Sequence, residues 1–228
     1  MSDAGKPTRA VVFDLDGTLL DSLPLVLRAF AHALEPFRPR PTMEIFARLG
    51  GPPSRVFHTL LDKAEHVPAA LERLEAFNCD NDHRIEPFAG MVAMLARLQA
   101  HGVRLAVWTG RDRGTTDVLM RLHRMENYFH TVLCGDDLPS HKPNPEGLRE
   151  IIQRLGVAPE ETLMIGDADV DVLGGVACAV DTILIRHGRE VDAAVAAQAW
   201  RTVASPAEAY ELVLSRIAPA KKEAGRKD

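Results

Sequence analysis

The residues best suited to chemistry fall in four short stretches: Asp14-Leu15-Asp16-Gly17-Thr18, Thr109-Gly110, His141-Lys142-Pro143-Asn144-Pro145 and Gly166-Asp167-Ala168-Asp169-Val170-Asp171. Carboxylates, a hydroxyl, an ammonium and glycine turns are the groups that handle phosphate and hard cations. Each stretch alone also has an ordinary reading. An Asp-x-Asp before glycine is a common turn with solvated acids. Acids at 167–171 suit the N-terminal end of a helix. The alternating acids there also look like a calcium loop, but the turning glycine is replaced by Val172 and the closing glutamate by Cys178. What sets the four apart is their order, each following its own strand-like segment.

Those segments are residues 10–14, 103–109, 131–135, 162–167 and 181–186, all short and largely apolar. Near-continuous apolar strands suit a sheet covered on both faces. Helical spacing lies between them. Met91, Met94, Leu95 and Leu98 recur at i, i+3, i+4, i+7, with Gly102 placed to follow the helix end. Leu148, Ile151, Ile152 and Leu155 repeat the pattern, with Asn144 as cap, Pro145 in the first turn and Gly156 at the end. Tyr210, Val213, Leu214 and Ile217 follow the capping box Ser205-Pro206-Ala207-Glu208. This alternation predicts an α/β fold with a parallel sheet and right-handed crossovers. Ligands in such sheets bind beyond the carboxyl ends of the strands, where the four stretches fall.

Residues 22–86 break the alternation. Leu23, Val26, Leu27 and Phe30, then Val56, Leu60 and Leu61, then Leu71, Leu74 and Phe77 read as helix faces, with prolines between. The expected organisation is a core of residues 9–21 and 87–217, a helical insert of 22–86, and flexible termini at 1–8 and 218–228.

Composition narrows the function class. The 228 residues are 46% hydrophobic and 26% charged, as in a folded globular protein rather than a disordered one. A net charge of −5 without a basic stripe argues against nucleic acid. No run of ~18 apolar residues argues for a membrane span, and the polar N-terminus carries no secretory core. Cys79, Cys134 and Cys178 lie far apart and outside any Cys-x-x-Cys pair. They read as small core residues in a reducing, cytoplasmic setting. Trp108 and Trp200 read as packing residues. His32, His58, His66 and His83 show no metal-ligand spacing.

The ordered set resembles the haloacid dehalogenase superfamily, most of all its phosphoglycolate-phosphatase-like branch with a helical cap after the first motif. The resemblance spans about residues 9–217. It implies a Rossmann-like parallel sheet flanked by helices, with a small all-helical cap domain. It implies Asp14 as nucleophile and Mg²⁺ ligand, and Asp16 as general acid, then base, whose carbonyl also binds Mg²⁺. Thr109 and Lys142 would hold the phosphoryl group, Asp167 would ligate Mg²⁺ directly, and Asp171 would support the metal site from behind. Backbone N–H groups around Leu15, Asp16 and Gly110 would cradle phosphate oxygens, while Gly17 lets the chain turn. The chemistry requires these types: carboxylate and phosphate repel unless a divalent cation and a lysine sit between them. Dehalogenating relatives lack the second acid, which this chain has in Asp16. The chain departs from many relatives at Gly110, where they have Asn, and at Gly174-Gly175, where alanines are common and glycine should weaken the helix.

In the cap, Arg48, Gly51 and Arg55 resemble a specificity loop, although each arginine alone also reads as a solvated helix residue. Lys63 sits in a helix and suits no Schiff base. The implied activity is Mg²⁺-dependent hydrolysis of a small phosphorylated metabolite, phosphoglycolate-like or a sugar phosphate, by a monomer or homodimer. Sugar phosphomutase, inorganic pyrophosphatase and a non-catalytic phosphate-binding protein are the alternatives.

Overall fold

The computed structural model describes residues 7–37 and 39–217. The apolar segments assemble into one six-stranded sheet in which every pair is parallel. The strands are β1 (Ala10–Phe13), β2 (Arg104–Trp108), β3 (Thr131–Leu133), β4 (Thr162–Gly166), β5 (Asp181–Ile185) and β6 (Arg201–Val203), in the order β3-β2-β1-β4-β5-β6. The five expected strands are all present, trimmed at their ends. The sixth was not expected. Arg-Thr-Val has one apolar residue, and its edge position leaves Arg201 and Thr202 exposed. Pairing with Ile183–Ile185, not its own side chains, makes it a strand.

The helices are α1 (Leu23–Leu34), α2 (Met43–Arg48), α3 (Pro53–Leu60), α4 (Val67–Asn81), α5 (Met91–Ala100), α6 (Arg113–Leu122), α7 (Glu146–Leu155), α8 (Asp169–Ala177), α9 (Ala193–Ala196) and α10 (Pro206–Arg216). Alternation along each strand feeds two cores. Val11, Phe13, Leu105 and Ile165 pack with Met94 and Leu98 of α5 and Tyr210 and Val213 of α10. Ala10, Val12, Ala106 and Met164 face the other way, onto Leu148, Ile151 and Leu155 of α7.

Three local expectations need correction. Helix α6 carries no clear stripe because Val118 and Leu122 are exposed while Leu119 and Met120 are buried, so its apolar residues do not share one face. Pro145, not Asn144, occupies the cap position of α7, and the Asn144 side chain accepts from Glu146 N at 2.9 Å. Cys134 and Cys178 are buried thiols as expected, but Cys79 is exposed near the end of α4. Trp108 is buried, and Trp200 lies under the guanidinium groups of Arg201 and Arg216.

The helices inserted after β1 enclose an apolar cluster of their own, with Phe30 against Phe46 and Phe57 at 4.7 and 5.1 Å. The two chain crossings between this cluster and the sheet are tied together. Asp21 N donates to Glu86 O at 2.8 Å and Phe88 N to Leu19 O at 3.0 Å. Of the expected flexible termini, residues 1–6 and 218–228 lie outside the described residues, and Thr8 is buried. Among the described residues no helix is long and apolar enough to cross a membrane.

Gly174 and Gly175 have a packing role. A Cβ at Gly174 would lie 2.8 Å from the Trp108 ring, and one at Gly175 would overlap Thr182 Oγ1. Helix propensity alone favours alanine over glycine by ~1 kcal/mol. Overpacking costs about 1–3 kcal/mol and reverses that sign. Gly174→Ala is therefore expected to lower stability in denaturant unfolding, and an increase would show that the helix moves freely off the sheet.

Candidate active site

The strand order reverses direction at β1: the chain builds β2 and β3 on one side, then crosses to β4, β5 and β6 on the other. This switch point opens a crevice at the carboxyl ends of the strands. Phe13 is in register with Val107 and Ile165, so the residues just beyond them converge there. Asp14 N donates to Ile165 O at 2.8 Å and Thr109 N to Leu133 O at 3.0 Å, which fixes both at the sheet edge. Gly17 turns the chain at φ +74°, and a Cβ there would lie 2.7 Å from the Asp167 carboxyl. Asp14, Asp16, Thr109, Gly110, Lys142, Asp167 and Asp171, all expected from the sequence, line one cavity of about 160 Å³. Leu15 is fully buried in the core beneath it.

Lys142 organises the floor. Its Nζ donates at 2.7 Å to Asp14 Oδ1 and at 2.7 Å to Asp171 Oδ1, with all three side chains nearly buried. Burial alone would discharge this ammonium, but Asp14 and Asp171 outweigh it and hold the Lys142 pKa above the ordinary lysine value. For Asp14, burial is the larger influence. It pushes the carboxyl up to about 7 against the pull of Lys142, with Asp171 adding repulsion. Asp167 is raised too, by burial first and then by Asp14 and Asp171. Asp171 is positioned further by the α8 N-terminus, where its Oδ2 accepts from Ala168 N at 3.0 Å. The Thr109 hydroxyl, buried at the end of β2, accepts from Arg111 N at 3.1 Å.

Asp16 belongs to a different pair, one the sequence reasoning missed. Arg111 grips it in a two-pronged ion pair, Nε to Oδ2 at 3.0 Å and Nη2 to Oδ1 at 2.7 Å, and Ser22 Oγ donates to Oδ1 at 2.6 Å. Burial pushes the Asp16 carboxyl up, but the guanidinium and these hydrogen bonds hold it below the usual range. The position of Arg111, two residues after Thr109 at a strand end, was the available signal. Arg189 was also missed. It donates to Asp167 O at 2.8 Å and to Asp169 Oδ1 at 2.7 Å, bracing the turn that carries Asp167. Nearby, Tyr210 Oη donates to Thr18 O and His187 Nε2–H to Gly17 O, both at 2.6 Å, clamping the turn after Asp14.

The insert closes the cavity from above through main chain. A Cβ at Gly50 would overlap the Lys142 carbonyl, and one at Gly110 would sit 3.2 Å from Gly51 O. Gly51 is thus brought to the site as expected. Arg48 and Arg55 are not. Both are exposed and neither lines the cavity, because α3 turns Val56 and Phe57 inward and leaves Arg55 outside, near His141. The insert instead contributes Phe30, Phe46, Leu49, Val56 and Leu74 to the walls, with Asn78 and Asp82 as polar groups.

A divalent cation fits the floor. Carboxylate oxygens of Asp14, Asp167 and Asp171 lie within 4.8 Å of one another. Their mutual repulsion and burial leave Asp14 and Asp167 poor at carrying charge unaided. Hard oxygen donors of this kind suit Mg²⁺.

Comparison with known proteins agrees with this arrangement. Residues 11–185 match the family model described as haloacid dehalogenase-like hydrolase. A protein named pyrophosphatase PpaX from Halalkalibacterium halodurans is 30% identical over 78% of this chain and 83% of its own length. One named phosphoglycolate phosphatase 1 from Pseudomonas aeruginosa is 33% identical over 80% of this chain and 72% of its own. The fold is shared with a solved hydrolase from Pseudomonas syringae (TM-score 0.79, 21% identity, 92% and 100% of the two chains). It is shared also with CbbY from Rhodobacter sphaeroides, solved with phosphate (TM-score 0.69, 23% identity, 88% and 96%). The fold class expected from the sequence therefore holds, and the chain belongs to the haloacid dehalogenase-like hydrolase family as a phosphatase.

Proposed function

We propose that this chain is a Mg²⁺-dependent phosphatase that hydrolyses a small phosphomonoester through an aspartyl-phosphate on Asp14. The observation that carries this reading is the pairing of two aspartates with two different cations: Asp14 with Lys142, and Asp16 with Arg111. One carboxylate is braced to attack and the other is held apart for proton transfer.

In this reading an Asp14 oxygen attacks phosphorus, and the bond from phosphorus to the ester oxygen breaks. Asp16, once protonated and free of Arg111, gives its proton to that leaving oxygen. It then takes a proton from the water that attacks the phosphorus of the acyl-phosphate, releasing inorganic phosphate and regenerating Asp14. Lys142 and the Thr109 hydroxyl hold the phosphoryl oxygens while Lys142 keeps the attacking carboxylate aimed. Asp14, Asp167 and the Asp16 carbonyl would hold Mg²⁺, with Asp171 fixing Lys142 and the α8 turn. The cation supplies charge neutralisation between carboxylate and phosphate. Residues 22–86 act as a cover that excludes water while the acyl-phosphate exists. The PpaX relative makes inorganic pyrophosphate the second reading.

With p-nitrophenyl phosphate and Mg²⁺, wild type should release phosphate, and Asp14→Asn should lower kcat by roughly a thousandfold or more. A variant with near-wild-type turnover would exclude Asp14 as nucleophile. A second expectation concerns pH. Burial raises Asp14 from 3.8 to about 7. Without a divalent cation, its contribution to stability is therefore present below the unfolded value and lost as pH rises through about 7. Mg²⁺ binds the ionised form, so the rise in Tm on adding Mg²⁺ should be larger at pH 8 than at pH 6. An equal rise at both values would place the cation elsewhere.

A further inference from the structure

The cavity above the catalytic floor has two properties that together select a leaving group. Its upper wall is apolar, formed by Phe30, Phe46, Leu49, Val56 and Leu74 from the insert and Ile85 beside them. Its charge is one-sided. Among the described lining residues there are three cations, Lys142, Arg111 and Arg189, against six carboxylates, those of Asp14, Asp16, Asp82, Asp112, Asp167 and Asp171.

Each cation is already engaged. Lys142 holds Asp14 and Asp171, Arg111 holds Asp16 in two hydrogen bonds, and Arg189 holds Asp169 and the Asp167 carbonyl. Arg111 is the cation nearest the leaving-group side, and Asp82, itself buried in the insert, draws on the same guanidinium. The arginines of the specificity-loop pattern, Arg48 and Arg55, stay outside. A divalent cation offsets part of the carboxylate excess, and the transferred phosphoryl group adds negative charge back. A second anionic group on the substrate would then be buried without a free counter-ion, which is strongly unfavourable.

We infer that the substrate of this site is a phosphomonoester whose leaving group is compact, uncharged and largely apolar, rather than one carrying a second phosphate or a carboxylate. The inference rests on the phosphatase reading above. Size agrees with it. A cavity of about 160 Å³ is close to one that takes a single benzene ring. With the phosphoryl group on the polar floor, the remainder admits only a small ring or a short branched chain. The leaving oxygen takes the Asp16 proton as the ester bond breaks, and the product departs as a neutral alcohol. Asn78 is the polar group of the wall positioned to meet a hydroxyl.

The test compares isobutyl phosphate, phosphoglycolate and inorganic pyrophosphate as substrates of the full-length Mg²⁺-loaded enzyme. The first two have leaving groups of similar size, so charge is the main variable. The expected result is a kcat/KM for isobutyl phosphate roughly tenfold or more above either anion-bearing substrate. Calorimetry with Asp14→Asn should show the same order for binding of isobutyl phosphate and phosphoglycolate. Equal use, or preference for phosphoglycolate or pyrophosphate, overturns the inference and leaves the phosphatase reading standing. No turnover of any of the three or of p-nitrophenyl phosphate overturns both. Asp82→Asn removes one anion beside Arg111 and should narrow the gap between isobutyl phosphate and phosphoglycolate several-fold. An unchanged ratio refutes the charge argument.

Discussion

Like charges resist being brought together, and this fold brings three carboxylates within a few ångströms of one another in a buried place. Asp14, Asp167 and Asp171 come from the ends of two adjacent strands and the first turn of α8. A single buried ammonium, Lys142, reaches across from the loop before α7 to touch two of them. Much of the surrounding architecture serves that juxtaposition. The parallel register of β1 and β4 brings the strand ends level, Arg189 braces the Asp167 turn, and Tyr210 and His187 clamp the turn after Asp14. Because each clamp comes from an element distant in sequence, the charge cluster can form only after the sheet has assembled.

The second charge pair is organised separately. Asp16 lies two residues from Asp14, yet its side chain goes to Arg111 and Ser22 rather than to Lys142. The two carboxylates therefore feel different fields: burial dominates at Asp14, and the guanidinium dominates the net effect at Asp16. Neighbouring aspartates pushed in opposite directions are the electrostatic condition for dividing work between them.

The sheet and its catalytic edge were legible because their signals are local. Apolar runs ending in Asp14, Thr109 and Asp167 announce strands and the groups beyond them, and Pro, Gly and capping residues mark the helices. What escaped the sequence depends on partners far along the chain. β6 is a strand only because β5 lies beside it. Arg111 is an ordinary arginine until the fold sets it against Asp16. Arg48 and Arg55 looked like substrate ligands from their loop, but the phase of α3, set by burying Val56 and Phe57, turns Arg55 away. Gly174 and Gly175 looked like weak helix formers until Trp108 and Thr182 supplied the surface they press against.

The seal between the insert and the sheet is made of peptide rather than side chain: Gly50 against the Lys142 carbonyl, Gly51 against Gly110, and Gly135 against both Gly110 and Pro52 N. A lid that closes on bare backbone does not depend on which residues line its inner surface. Closure and recognition are therefore modular in this molecule. The wall positions at Phe30, Phe46, Leu49 and Val56 form a palette that can be recoloured for another leaving group while the latch stays as it is, provided the glycines at the crossing are kept.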